Sequence, residues 1–263
     1  MDRVVMLGVR GSVPVSGAPF LRYGGATTCV LVRLGGQYAV LDAGTGLMSL
    51  PPDAAAEPEL PLLLTHLHLD HLLGLPLCPY LFSGGGRMTL YAGVHEGERA
   101  RDVLARLYAP PLWPVGLATE HLAFRTLERD FSIGALRVET MAGAHPNGVY
   151  LLRLSAGGKS VVFATDCTLT DAVLPKIADF ARGCDLLLCD GQYSDAEFAQ
   201  RASYGHNAWR MALALAVRCK AKAFRVIHHD PCHNDAALDE IDLAIRRACP
   251  TGGAAKQGEV ILL

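Results

Sequence analysis

Short apolar runs, most of them bounded by glycine-rich or polar turns, set the rhythm of the chain. Residues 4–9, 28–32, 38–41 and 62–65 are each too short for an independent helix and are rich in Val and Leu, so they predict strands. Residues 136–141, 149–154, 161–164, 186–189 and 223–227 predict strands in the same way, and 259–262 a last edge strand. Val94, Val103, Leu104 and Leu107 recur at helical spacing among charges, which predicts an amphipathic helix over 94–108. Alanine-rich stretches at 207–218 and 235–247 predict two more helices. Pro110, Pro111 and Pro114 predict a rigid loop around Trp113. No repeat period and no low-complexity linker divides the chain, so a single domain over 1–263 is expected. Strands and helices mixed through both halves predict an α/β fold, two sheets face to face with helices outside. The pattern alone leaves other α/β topologies open.

Composition narrows the function. Hydrophobic residues make up 51% and charged residues 19%, enough for a sizeable core. The formal net charge of −2 gives no broad basic field to hold a nucleic-acid polymer, which favours a small anionic substrate drawn to a local site. The N-terminus reads as no signal peptide, and no apolar run is long enough to span a bilayer, so a cytoplasmic protein with no membrane partner is expected. None of the 8 cysteines forms a C-x-x-C pair, which fits reduced thiols in that compartment.

The chemistry concentrates in His66-Leu67-His68-Leu69-Asp70-His71, directly after the predicted strand at 62–65. In extended chain His66 and His68 point the same way and can converge on one ion. A following helical turn would present Asp70 and His71 together, so that one segment serves two neighbouring metals. Neutral imidazole and carboxylate suit borderline divalent cations such as zinc. The leucines between the histidines argue against a solvated polar loop.

H-x-H-x-D-H after an apolar strand resembles the signature of the metallo-β-lactamase superfamily. Further matches follow in order: the Asp42-Ala43-Gly44-Thr45-Gly46 turn, His145 in Ala144-His145-Pro146, Asp166 after residues 161–164, and His228-His229-Asp230 after residues 223–227. The resemblance implies the metallo-β-lactamase fold, a four-layer αββα sandwich, and two divalent metal ions. Zinc is expected, with manganese or iron fitting the same donors. By that resemblance His66, His68 and His145 hold one metal, Asp70, His71 and His229 the other, and Asp166 bridges them. Asp42 would brace the metal loop. His229 is preferred over His228 because relatives place that ligand one residue after a strand-closing threonine.

Tyr204-Gly205-His206-Asn207 resembles the glycine-histidine-serine-threonine motif of the tRNase Z branch and its small phosphodiesterase relatives. It implies that His206 protonates the leaving oxygen, that Asp70 orients the attacking water as well as binding metal, and that His206 and Asn207 contact substrate. The run Leu7-Gly8-Val9-Arg10-Gly11-Ser12 is also similar to this branch, and Arg10 reads as a surface or ion-paired residue in preference to a phosphate ligand. Trp113 reads as a core residue in preference to a pocket lid. No glycine- and lysine-rich insertion resembles a tRNA-gripping arm. The implied activity is hydrolysis of a small phosphodiester, a cyclic nucleotide or other cyclic phosphodiester included, by a metal-activated water. Hydrolysis of a thioester, lactone or other ester on the same fold is the alternative. A redox di-iron protein and a sensor module that has lost its ligands fit the motifs poorly. Relatives in this branch often pair, so the resemblance also allows a homodimer.

Overall fold

The computed structural model describes residues 1–76, 78–82, 85–114, 116–117 and 119–263. The strands of the first half are β1 (Arg3–Gly8), β2 (Cys29–Leu34), β3 (Gln37–Leu41), β4 (Glu59–Leu64), β5 (Arg87–Ala92), β6 (Val94–His95), β7 (Glu98–Arg99) and β8 (Leu122–Thr126). Those of the second are β9 (Asp130–Ile133), β10 (Leu136–Gly143), β11 (Val149–Ala156), β12 (Lys159–Ala164), β13 (Leu186–Asp190), β14 (Ala223–Ile227), β15 (Gly252–Ala254) and β16 (Val260–Leu262). They form two seven-stranded sheets, ordered β16-β1-β2-β3-β4-β5-β8 and β15-β14-β13-β12-β11-β10-β9. The last strand returns to pair with the first, Arg3 opposite Leu262.

Alternation along the strands decides the layering. Val4 and Met6 of β1, Leu63 of β4 and Leu186 and Leu188 of β13 pack into one core shared by both sheets. Their neighbours Val5, Leu7, Leu62 and Leu64 pack instead into a core with Leu72, Ala100 and Leu104 on the outside of the first sheet. Leu187 and Cys189 join Trp209, Leu215, Leu238 and Ile245 of the helices outside the second sheet. Strands buried on both faces read as near-continuous apolar runs, which is why these sequences show little polar alternation. The result is the αββα sandwich that the motifs imply.

The helices Trp209–Cys219 and Asp235–Ala248 lie close to their predicted ranges. Asn234 caps the second of these, its side chain accepting from the Ala237 N–H at 3.0 Å. The predicted helix over 94–108 is corrected. Glu96 and Gly97 both take left-handed φ, 50° and 80°, and turn 94–99 into the small β6–β7 hairpin. Only Ala100–Leu107 is helical.

Two groups of parallel strands set the site. β3, β4 and β5 run parallel in the first sheet, and β12, β13 and β14 in the second. Ligands gather at the carboxyl ends of parallel strands: β13 ends in Asp190, and the segments after β3, β4, β12 and β14 carry Asp42, His66, Asp166 and His228.

Candidate metal centre

The His66–His71 segment is held at both ends by one buried carboxylate. Asp42 stands just past β3 with φ 56°. Its Oδ1 accepts the Thr65 N–H at 2.8 Å and its Oδ2 lies 2.8 Å from His71 Nδ1. Asp42 thus braces the loop and does not enter the cluster. A short 3-10 turn at Leu69–His71 then presents Asp70 and His71 on the side that His66 already faces.

Each imidazole is tied outward by one ring nitrogen. His66 Nδ1 meets Thr65 Oγ1 at 3.0 Å and His68 Nε2 meets Asn147 Oδ1 at 3.2 Å. His145 Nδ1 donates to the Gly205 carbonyl at 3.1 Å, and His228 Nδ1 to Gln192 Oε1 at 2.9 Å. An N–H committed to an outward acceptor leaves the other nitrogen's lone pair facing the centre, the arrangement that orients metal-binding histidines.

Inward, the donors converge on Asp166, which follows β12 at φ 51°. Its Oδ2 lies 3.8 Å from His66 Nε2, 3.7 Å from His145 Nε2 and 3.2 Å from His228 Nε2, and its Oδ1 lies 3.5 Å from His71 Nε2. Asp70 Oδ2 lies 3.4 Å from His71 Nε2 and 3.2 Å from His228 Nε2. Among the described residues four overlapping donor sets result, His66–His68–His145, His66–His71–Asp166, Asp70–His71–His228 and Asp166–Asp190–His206–His228, with the donor atoms of each within 4.8 Å of one another.

These donors fit a pair of divalent cations. His66 Nε2 and His71 Nε2 are buried and have no hydrogen-bond partner among the described residues. His68 Nδ1 and His145 Nε2 face each other at 3.1 Å, where two lone pairs repel unless a cation or proton lies between them. Burial and the neighbouring His71 push His66 well below the usual histidine range, and burial takes His145 down to about 4, so both rings favour the neutral, ligating form. Burial resists charge on Asp70 and Asp166 as well. The surrounding imidazoles outweigh it and hold both carboxyls well below their ordinary range. Burial resists charge on His71 too, but Asp70, Asp166 and Asp42 outweigh it and push that ring well above the usual histidine range. The buried carboxylates thus draw positive charge into the pocket, a role that a divalent cation can take over from a proton.

One ligand assignment is corrected. His228, not His229, enters the cluster. His228 takes the left-handed φ of 61°, which swings its ring inward. His229 resumes extended chain and bridges Arg10, its N–H bonded to the Val9 carbonyl at 2.9 Å. Its ring points away and donates Nε2–H to the Ala255 carbonyl at 2.9 Å. Burial lowers His229 to about 3, so it is a neutral core histidine.

His206 closes one side of the cluster. Its ring stacks on His228 with centroids 4.8 Å apart and lies edge-on to His145 at 5.2 Å. Nδ1 is 2.7 Å from Asp190 Oδ2, and Asp166 Oδ2 is 3.8 Å away. Burial disfavours the charged ring, but the Asp190 carboxylate and then Asp166 more than offset it and raise the group to about 9. Gly205 stands beside His206 at φ 94°, and a Cβ there would come within 2.2 Å of His145 Nδ1. Only glycine allows this approach.

Asn207 is also corrected. It is fully buried, its Oδ1 accepts the Leu169 N–H at 2.7 Å, and its Nδ2 donates to the Cys167 carbonyl at 2.7 Å. Both ends of the amide are engaged, so Asn207 clamps two loops and has no group free for substrate. Asp190 and Gln192 are site residues that the motif reading missed. Asp190 fixes His206 and also accepts the Gln192 and Asn207 N–H groups at 3.1 and 3.2 Å. A lone carboxylate ending the apolar run 186–189 was the available signal. Arg10 is neither a surface residue nor near the cluster's donors. It is wholly buried, donating to the Gly24, Asp230 and His233 carbonyls at 2.8, 3.1 and 2.7 Å. Trp113 packs edge-on against Tyr108 at the rim of the first-sheet core.

A two-layered set of buried histidines and carboxylates at the strand ends of an αββα sandwich defines a metallohydrolase class, and comparison with known proteins gives the family. Residues 39–229 match the Beta-lactamase superfamily domain, and the chain belongs to that superfamily. It is 28% identical to a Ribonuclease Z from Bradyrhizobium sp. (strain ORS 278) over 243 residues, covering 71% of this chain and 78% of that protein. Among solved structures it is similar to the metallo-β-lactamase fold protein YhfI from Bacillus subtilis, with TM-score 0.73, 18% identity, and 99% and 98% of the two chains covered. It is also similar to a diphosphatase from the PhnP family, with TM-score 0.70, 18% identity, and 100% and 98% covered. The chain is thus a hydrolase of the metallo-β-lactamase fold with a metal-binding site. Among the described residues no helix is long and apolar enough to cross a membrane.

Proposed function

We propose that the protein is a metal-dependent phosphodiesterase acting on a small phosphodiester, cyclic ones included. The observation that carries this reading is the Asp190–His206 pair, held at 2.7 Å against the cluster. A bound pair of cations, zinc by preference, would supply an activated water and neutralise the phosphoryl oxygens. His66, His68 and His145 would hold one, Asp70, His71 and His228 the other, and Asp166 both. Asp70, which also accepts the Ser12 N–H at 2.8 Å, would orient the water.

Displacing an alkoxide needs a proton at the leaving oxygen. Asp190 anchors His206 Nδ1, favours the protonated ring and leaves Nε2 to deliver that proton. A thioester needs no such acid, because it expels a thiolate; a lactone expels an alkoxide as a phosphodiester does, so turnover of the two substrate classes has to be compared directly. The Ribonuclease Z likeness and the fold shared with a PhnP-family diphosphatase support the phosphorus reading.

The test is hydrolysis of bis-p-nitrophenyl phosphate and of a panel of cyclic nucleotides and cyclic phosphates by protein reloaded with zinc, manganese or iron. Activity on the cyclic substrates, which release an alkoxide, that falls in His206→Ala while metal content holds supports the reading, and bis-p-nitrophenyl phosphate, whose phenolate leaves without an acid, should be affected less. Turnover of thioesters or lactones that ignores His206 overturns it in favour of the other ester class.

A further inference from the structure

A cavity of about 230 Å³ opens beside His66 and His68, walled by Leu67, Val103, His95 and Glu96. The β6–β7 hairpin forms the wall across from the metal loop, and one residue joins the two. Asn147 Oδ1 accepts His68 Nε2–H at 3.2 Å, its Nδ2 donates to Glu96 Oε1 at 2.8 Å, and its carbonyl accepts His95 Nδ1–H at 3.3 Å. Asn147 sits at φ 65° and Glu96 at φ 50°, both in the left-handed region where a residue with a Cβ is disfavoured. Glycine would relax both positions, so each side chain is held there at a backbone cost.

The five cluster histidines differ in what holds them. His71 is fixed by a buried carboxylate, His145 by a main-chain carbonyl, His66 by its neighbour's hydroxyl and His228 by a buried amide. His68 is half-buried, and its outward nitrogen rests on Asn147.

We propose that Asn147 is a positioning residue for the metal centre. It fixes the tautomer of His68 so that Nδ1 faces His145, and Glu96 in turn fixes Asn147, tying a ligand to the wall of the adjoining cavity. Partners of this kind typically change metal affinity 10- to 100-fold. The inference rests on reading the His/Asp cluster as a metal centre.

Asn147→Gly is the decisive variant, because glycine accepts φ 65° without strain and the fold keeps its backbone. Zinc affinity is measured by competition with a chromophoric chelator, zinc content by elemental analysis, and the stability of metal-free protein by thermal unfolding. The expected result is roughly a 10- to 100-fold loss of zinc affinity at one site with metal-free stability unchanged or raised. Asn147→Asp combined with Glu96→Gln exchanges donor and acceptor between the two side chains and should restore affinity to within a few-fold of the parent. Parental affinity at both sites in Asn147→Gly overturns the proposal, as does a loss confined to metal-free stability. A parent that binds none of zinc, manganese and iron removes this inference and the proposed function together. Zinc binding weakened in Asn147→Gly, with no phosphodiester cleaved by the parent, leaves this inference standing and removes the other.

Discussion

In the first half of the chain one stretch of six residues, His66 to His71, carries four of the groups that meet in the cluster. The second half brings His145, Asp166, Asp190, His206 and His228 from five separate segments. The first arrangement is local: a strand end and one 3-10 turn set the spacing, and Asp42 holds both ends. The second is assembled by topology, because adjacent parallel strands β12, β13 and β14 end at one edge of the sheet. Where local geometry fixes the donors, few outside contacts are needed. Where distant loops must meet, every loop needs its own clamp, and Asn207, Gln192 and the buried Arg10 are such clamps.

The sharpest way to break this contrast is the one residue that both arrangements share. Asp166 faces His66 and His71 from the first half and His145 and His228 from the second. Asp166→Ala should strip metal from the centre and lower turnover about ten-thousandfold, since each ~1.4 kcal/mol of lost charge stabilisation is tenfold in rate and a bound metal supplies several. Elemental analysis and steady-state rates check it. Retained metal with near-parental turnover would mean that the halves bind independently.

Adjacent residues give the next test. His228→Ala should cost metal at the second site and about a thousandfold in turnover. His229→Ala should keep both metals and instead lose about 2 kcal/mol of stability, through a cavity and an unpaired Ala255 carbonyl. Metal content and denaturant unfolding of the two variants check it, and the reverse pattern would restore the ligand assignment that the family resemblance favoured. His206→Ala should be milder, about a hundredfold in turnover with metal content unchanged.

The same contrast explains what could be read from the sequence. H-x-H-x-D-H names its own chemistry because its spacing is its geometry. His145 and Asp166 were found by their order after strand ends, and His206 by the glycine-histidine motif that carries it. His228 escaped because a single left-handed residue shifts which of two neighbouring side chains faces inward, and no local pattern records that. Asp190 escaped because its role comes from a residue 16 positions away. Strands Arg87–Ala92, Leu122–Thr126 and Asp130–Ile133 were missed because polar residues interrupt them, and the hairpin at 94–99 because its apolar positions also fit a helical period. The buried runs of β1, β4, β13 and β14 were plain, since burial on both faces leaves uninterrupted apolar sequence.

The smallest expected effect lies in a clamp of the second half that is remote from the centre. Glu197 in the first turn of the helix Asp195–Arg201 accepts the Ser194 N–H and hydroxyl at 2.7 Å and lies 3.0 Å from His233 Nε2. Partial burial resists its ionisation, but the Ser194 bonds and then His233 bring it down to about 2 from an ordinary 4.5. A carboxylate whose folded value is depressed adds stability above its unfolded value and loses it as pH falls through the folded one. The window is therefore about pH 4.5 to 2, and the contribution, from a partly exposed group, stays under about 1 kcal/mol. Glu197→Gln keeps an acceptor for Ser194 and removes the charge, so its unfolding midpoint should fall slightly at pH 6 and converge on the parent's toward pH 2. Urea unfolding of metal-free protein at several pH values checks this. A deficit that stayed constant with pH would assign Glu197 to packing alone, and the loops of the second half would then depend on their buried clamps and not on charge at the surface.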